Sequence, residues 1–246
     1  MWNKAKKGIT GMKAGCKVKI CGITCVEDRQ LAAAAGADYF GVVIQTAFSP
    51  RSLTIDAAVE LFTSPPIPGV ALVYNPELQQ LHLLVKRCQP YAIQFLSPIP
   101  FAWLEELKAD YPALTCWQSL HLPPAGAEGS VPPESEWASR INDLAEAGVD
   151  VVVVDTVATI RGQTRYGGTG QVSDWALVQS MAQLARVPVF LAGGITPANV
   201  RTALTVVQPS GIDLCSGVEA APGHKDPAKV HELIRLVREW ERGGTV

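Results

Sequence analysis

Asp155 closes the run Val151-Val152-Val153-Val154, and Cys21 closes Val18-Lys19-Ile20 just before Gly22. Four consecutive valines read as a strand buried on both faces, where a terminal carboxylate is hard to explain as a solvated surface charge. An acid in that place therefore points to a functional role. Cys21 has two readings at this point: a functional thiol at the mouth of its strand, or one more small buried hydrophobe. Glycine-rich turns follow later in the chain, at Gly167-Gly168-Thr169-Gly170, Gly193-Gly194 and Cys215-Ser216-Gly217. A turn without Cβ atoms beside a helix N-terminus lets backbone N–H groups reach an anion. One such turn is explained by chain geometry alone. Three converging ones point to a phosphorylated small molecule, with Gly168, Thr169, Gly193, Gly194, Cys215, Ser216 and Gly217 as its contacts.

The elements that must position these residues recur in one pattern from residue 17 onward: a β-branched run, a turn, then an amphipathic stretch of helical period. Strands are predicted at 17–21, 39–44, 69–74, 91–95, 114–120, 150–155, 189–192 and 211–215. Helices are predicted at 26–35, 55–62, 76–87, 101–110, 134–147, 173–185, 197–207 and 227–240. Asn75, Thr196 and Asp226 each precede a proline, which predicts an N-cap followed by Pro at the first helical position. The expected fold class is therefore α/β, a single (β/α)8 TIM barrel. A doubly wound sheet is the alternative, because periodicity does not show closure. In a barrel the strand-end residues and the late glycine turns meet on one face. The irregular stretches 121–133 and 157–172 follow strands and fall on that face as well.

The charge balance, 21 Lys+Arg against 23 Asp+Glu, leaves no basic footprint for a phosphate backbone, so no nucleic-acid partner is expected. Apolar runs fall far short of the ~18 residues a spanning helix needs, and no membrane partner is expected either. Six scattered cysteines without a CxxC pair fit a reduced, cytoplasmic compartment better than a disulfide framework. Residues 1–16, lysine-rich and without an acid, are expected to form a disordered extension to a barrel domain spanning 17–246. Met12 is a candidate translation start that N-terminal sequencing of the native protein tests. His82, His121, His224 and His231 lack metal-ligand spacing. Cys16, Cys21 and Cys25 fall on extension, strand end and helix start, so no metal site is expected.

Several segments together resemble the phosphoribosylanthranilate isomerase family of tryptophan biosynthesis. They are Lys19-Ile20-Cys21-Gly22-Ile23-Thr24, Ser49-Pro50-Arg51, Asp155-Thr156, Gly167-Gly168-Thr169-Gly170, Leu191-Ala192-Gly193-Gly194-Ile195-Thr196, and Ser216-Gly217-Val218-Glu219 running to Pro222-Gly223. The resemblance implies an isomerase that uses neither cofactor nor metal and performs an Amadori rearrangement, turning the aminoaldose N-(5-phosphoribosyl)anthranilate into the aminoketose. It implies Asp155 as the general acid on the ribose ring oxygen and Cys21 as the general base that removes the C2 proton. It sets Arg51 against the anthranilate carboxylate, Gln94 on the fourth strand beside the substrate, and Asp213 near the ribose, where a purely structural role is the alternative. A thiol base at neutral pH needs a lowered pKa, which helix N-termini or nearby cations can supply.

Two departures from the family pattern are visible. Gln94-Phe95-Leu96-Ser97 stands where Gln-Leu-His-Gly is common, and Cys215-Ser216 stands for Ser-Ser. They predict an altered fit near the fourth strand and one hydroxyl donor fewer at the phosphate turn. The alternative to the isomerase is a divergent phosphosugar-binding barrel: another isomerase, an aldolase with Lys19 as Schiff-base lysine, or a non-catalytic sensor. The expected assembly is a monomer or homodimer.

Overall fold

In the computed structural model, residues 15–126, 132–160, 163–166 and 172–243 are described. Eight parallel strands form the sheet: β1 (Lys17–Ile20), β2 (Tyr39–Ile44), β3 (Gly69–Val73), β4 (Ala92–Phe95), β5 (Thr115–Leu122), β6 (Val151–Ile160), β7 (Val189–Leu191) and β8 (Gly211–Leu214). Between and after them lie α1 (Val26–Ala35), α2 (Ile55–Phe62), α3 (Leu78–Cys88), α4 (Phe101–Asp110), α5 (Glu134–Glu146), α6 (Trp175–Leu184), α7 (Val200–Val207) and α8 (Pro227–Glu241). The first strand decides between barrel and open sheet. Lys19 pairs with Tyr39 of β2 on one side and with Asp213 of β8 on the other, so the ring closes with no edge. The doubly wound alternative is thereby excluded.

Strand alternation sorts the apolar residues into two layers. Val18, Ile20, Val42, Ile44, Ile93, Val152, Val154, Leu191 and Ile212 face the helices. Val43, Val70, Leu72, Ala92, Trp117, Val153 and Phe190 fill the barrel. Its floor is aromatic: the Tyr39 and Trp117 ring centroids lie 5.2 Å apart and those of Trp117 and Phe190 5.1 Å, both edge to face. With that floor packed, any cavity must open at the carboxyl ends of the strands.

Of the three expected caps, Asp226 holds, its Oδ1 accepting from the N–H groups of Ala228 and Lys229 ahead of Pro227. Asn75 does not cap. It takes a left-handed φ of 43° and donates its N–H to Ser97 Oγ, while α3 starts at Leu78 and Gln80 Oε1 accepts from the Glu77 N–H. Thr196 does not cap either: Asn199 Oδ1 accepts the Thr196 N–H, and α7 starts at Val200. In both cases the helix begins beyond the proline, after a later polar residue, Glu77 or Asn199. The stretch 157–172, expected as irregular, is partly a hairpin, with β6 running on to Ile160 and pairing antiparallel with Gln163–Tyr166. A second short hairpin, Glu219–Ala221 with His224–Lys225, follows β8.

Cys16, read from sequence as the last residue of the extension, is fully buried, and its N–H donates to Glu241 Oε1 at 2.6 Å. The barrel thus includes this residue; the expectation for 1–14 lies outside the described residues.

Candidate active site

A cavity of about 760 Å³ opens at the carboxyl ends of the strands, lined by Cys21, Arg51, Gln94, Asp155, Gly193, Gly194, Asp213, Cys215, Ser216 and Gly217 among others. Ten of the twelve residues singled out from the sequence therefore share one space. The other two, Gly168 and Thr169, lie outside the described residues.

Asp155 sits where β6 passes the barrel rim. Burial raises its carboxyl to about 7, with the Asp213 charge adding to the rise and the Thr156 N–H, donated to Oδ1 at 2.7 Å, opposing it. The acid therefore carries a proton over much of the neutral range, which a general acid requires.

On the next inward positions of β1 lie Lys19 and Cys21. Lys19 is fully buried inside the barrel, where its Nζ donates to Asp213 Oδ2 at 2.7 Å. Space for it comes from Gly41 on β2: a Cβ there would sit 2.9 Å from Cys21 Sγ and 3.0 Å from Lys19 Cε. Burial alone would pull the Lys19 amine down, but Asp213 and Cys21 outweigh it and the ammonium is held above its ordinary range. A Schiff-base lysine needs a neutral amine, so this arrangement disfavours the aldolase alternative. The Cys21 thiol departs from expectation. Burial pushes it up, and the cations that pull it down, Lys19 first and Lys225 after, do not compensate.

Arg51, in the loop after β2, is held in place by an acid from the far end of the chain. Its Nε and Nη2 donate to the two oxygens of Glu219 at 2.8 and 2.5 Å, a bidentate fork. Lys225 Nζ reaches the same carboxylate at 2.9 Å, and the pair of cations holds Glu219 down to about 2 despite burial. Cys215, named from sequence as a phosphate contact, directs its Sγ to Glu219 Oε1 at 3.8 Å. The thiol thus belongs to this charge cluster. Gln94 Nε2 donates to Ser119 Oγ at 2.9 Å, while its Oε1 has no partner among the described residues. Leu96 lines the wall beyond it, and His121 Nε2 meets the Leu96 carbonyl oxygen at 2.8 Å.

The glycine turns close the opposite side. Gly193 and Gly194 take left-handed φ values of 82° and 64°, and Ser216–Val218 is a single 3₁₀ turn. A Cβ on Gly217 would lie 1.9 Å from the Ile195 carbonyl oxygen, so only glycine allows the β7 and β8 turns to approach. Sequence reasoning missed the Lys19–Asp213 pair and the Glu219 clamp. Parity with Cys21 across one residue does mark Lys19 as a buried structural or electrostatic element, but not its partner, and Glu219 offered no signal beyond its place in a motif.

The family model described as N-(5'phosphoribosyl)anthranilate (PRA) isomerase matches residues 18–235. The chain belongs to this family. Similar relatives include the N-(5'-phosphoribosyl)anthranilate isomerase of Methanocella arvoryzae, 34% identical over 225 residues covering 90% of this chain and 98% of the relative. That of Methanosarcina acetivorans is 36% identical over 232 residues, covering 90% and 93%. Among solved isomerases of the family, the Pyrococcus furiosus structure superposes with a TM-score of 0.75 at 25% identity over 91% of this chain and 99% of its own. Another was solved in complex with reduced 1-(o-carboxyphenylamino)-1-deoxyribulose 5-phosphate and superposes at 0.71, with 25% identity, over 91% and 98%. Phosphoribosylanthranilate isomerases are TIM barrels, and the closed eight-stranded ring here is of that kind. Among the described residues no helix is long and apolar enough to cross a membrane.

Proposed function

We propose that the protein rearranges N-(5'-phosphoribosyl)anthranilate to the 1-deoxyribulose 5-phosphate aminoketose, the Amadori step of tryptophan biosynthesis. One observation carries the reading: a carboxylic acid that keeps its proton to about 7 and a cysteine share a cavity walled by glycine turns. The phosphate lies against Gly193, Gly194 and the backbone of Cys215, Ser216 and Gly217, with Gly168 and Thr169 as further contacts. Arg51, fixed by Glu219 through Nε and Nη2, meets the anthranilate carboxylate through its Nη1 edge. Asp155 then protonates the ribose ring oxygen, the C1–O bond breaks, and the nitrogen lone pair forms the iminium. The Cys21 thiolate takes the C2 proton, leaving an enolamine that tautomerises to the ketone. Asp155 ends one proton short and Cys21 one proton richer, and exchange through solvent restores both. Asp213 and Gln94 border the sugar, each with an oxygen that has no partner among the described residues.

Purified protein incubated with freshly made phosphoribosylanthranilate should yield the aminoketose, and its gene should rescue a strain lacking this step. Failure of both overturns the reading. Six free cysteines fit a reduced, cytoplasmic setting. A monomer or homodimer is the proposed assembly, which sedimentation distinguishes from larger forms.

A further inference from the structure

The proposed mechanism asks a buried thiol to become a thiolate, and nothing in it says what balances that charge. The side chains around Cys21 provide one candidate. From β1 itself comes Lys19, one inward position below; from β8 comes Asp213, bonded to Lys19 at 2.7 Å. Farther out stand Lys225, Arg51 and Glu219, which are bound to one another, and Cys215 beside them. Across the cavity is Asp155, neutral up to about 7. Lys225 and Arg51 are both committed to Glu219, two cations on one carboxylate. Lys19 differs from them in place. Its side chain is fully buried and shares with the Cys21 sulfur the small gap that Gly41 leaves open.

We propose that Lys19, held by Asp213, is the positioning residue that stabilises the Cys21 thiolate during proton abstraction. The inference rests on Cys21 being the base. Lys19 is preorganised: its ion pair fixes the ammonium at the floor of the site, so no side chain must move when the thiol ionises. Asp213 has two effects. It keeps the buried amine protonated, and its negative charge adds to burial in holding the thiol protonated. The pair therefore stores a cation beside the base without leaving a free charge in the barrel.

The test reads the thiol directly. Iodoacetamide alkylation of Cys21 is followed against pH by peptide mass spectrometry, in wild-type protein, in Lys19→Met and in the double variant Lys19→Met/Asp213→Asn. The double variant removes both charges and leaves no unpaired buried ion if the single variant fails to fold. The expected result is that the midpoint of the Cys21 profile moves up by about one to three pH units in Lys19→Met, and in the same direction in the double variant. The Cys25 and Cys88 profiles should stay in place. An unchanged or lowered Cys21 midpoint in a folded variant overturns the proposal. Alkylation does not depend on turnover, so a Cys21→Ala protein that keeps full activity would refute the base assignment separately.

Discussion

Replacing Asp155 by Asn should make the protein more stable at neutral pH while removing its activity. The amide keeps an oxygen to accept the Thr156 N–H that now donates at 2.7 Å, so the local hydrogen bond survives. What disappears is a group whose folded pKa is about 7 against an ordinary 3.8. For an acid raised in this way, the folded state holds its proton longer than the unfolded chain. Below the unfolded pKa the two states are alike and the side chain contributes nothing. As pH climbs from about 4 to about 7 the unfolded chain ionises first, and wild type loses stability that the variant keeps. At 1.36 kcal/mol per pKa unit the ceiling on that loss is about 4 kcal/mol, and screening in the open cavity lowers it. For a domain of this size the gap in Tm should open by roughly 5 to 10 °C between pH 4.5 and 7.5, readable by thermal circular dichroism in matched buffers. Wild-type kcat/KM should fall on the alkaline side of about pH 7, while the Asp155→Asn variant loses about 10²-fold or more in kcat at every pH. Parallel Tm curves across the range would refute the claim that burial holds the proton on Asp155.

The other residues make distinct predictions. Cys21→Ala should lower kcat by about 10² to 10⁴ while leaving product affinity, measured by calorimetry, within a few-fold; unaltered kcat would remove Cys21 from the chemistry. Glu219→Gln loosens the fork on Arg51, so steady-state kinetics should show KM for phosphoribosylanthranilate rising about tenfold with a smaller change in kcat. An unchanged KM would mean that Arg51 does not need the clamp. Gly217→Ala forces a Cβ into the Ile195 carbonyl oxygen, and inhibition by inorganic phosphate should weaken by about tenfold or more, with a stability loss of about 1 to 3 kcal/mol on melting.

The barrel was legible because period-2 and period-3.6 segments alternate cleanly and because strand-end residues must gather on one face. Asp155 stands out from its four valines alone, since a carboxylate ending a buried strand has few bland explanations, and it does line the cavity. The helix starts were less legible: α3 and α7 begin beyond the prolines, after turns fixed in part by contacts remote in sequence, such as Asn75 N–H to Ser97 Oγ. The lowered thiol pKa expected for Cys21 is not found because burial, which sequence does not quantify, outweighs the two lysines. The Arg51–Glu219 fork was hidden by distance, 168 residues apart along the chain and 2.5 Å apart in space.

Closure of the ring by its first and last strands has a consequence for how the protein is made. Lys19 meets Asp213 across 194 residues, which at 5 to 20 residues per second is roughly 10 to 40 s of ribosomal synthesis. Until β8 emerges, the nascent polypeptide presents two unpaired strand edges, those of β1 and β7, and a buried-type lysine without its counter-charge. A chain cut before β8 lacks part of the cavity wall, because Cys21 and Arg51 come from the start and Asp213, Ser216 and Glu219 from the end. Turnover therefore reports completed translation and closure together.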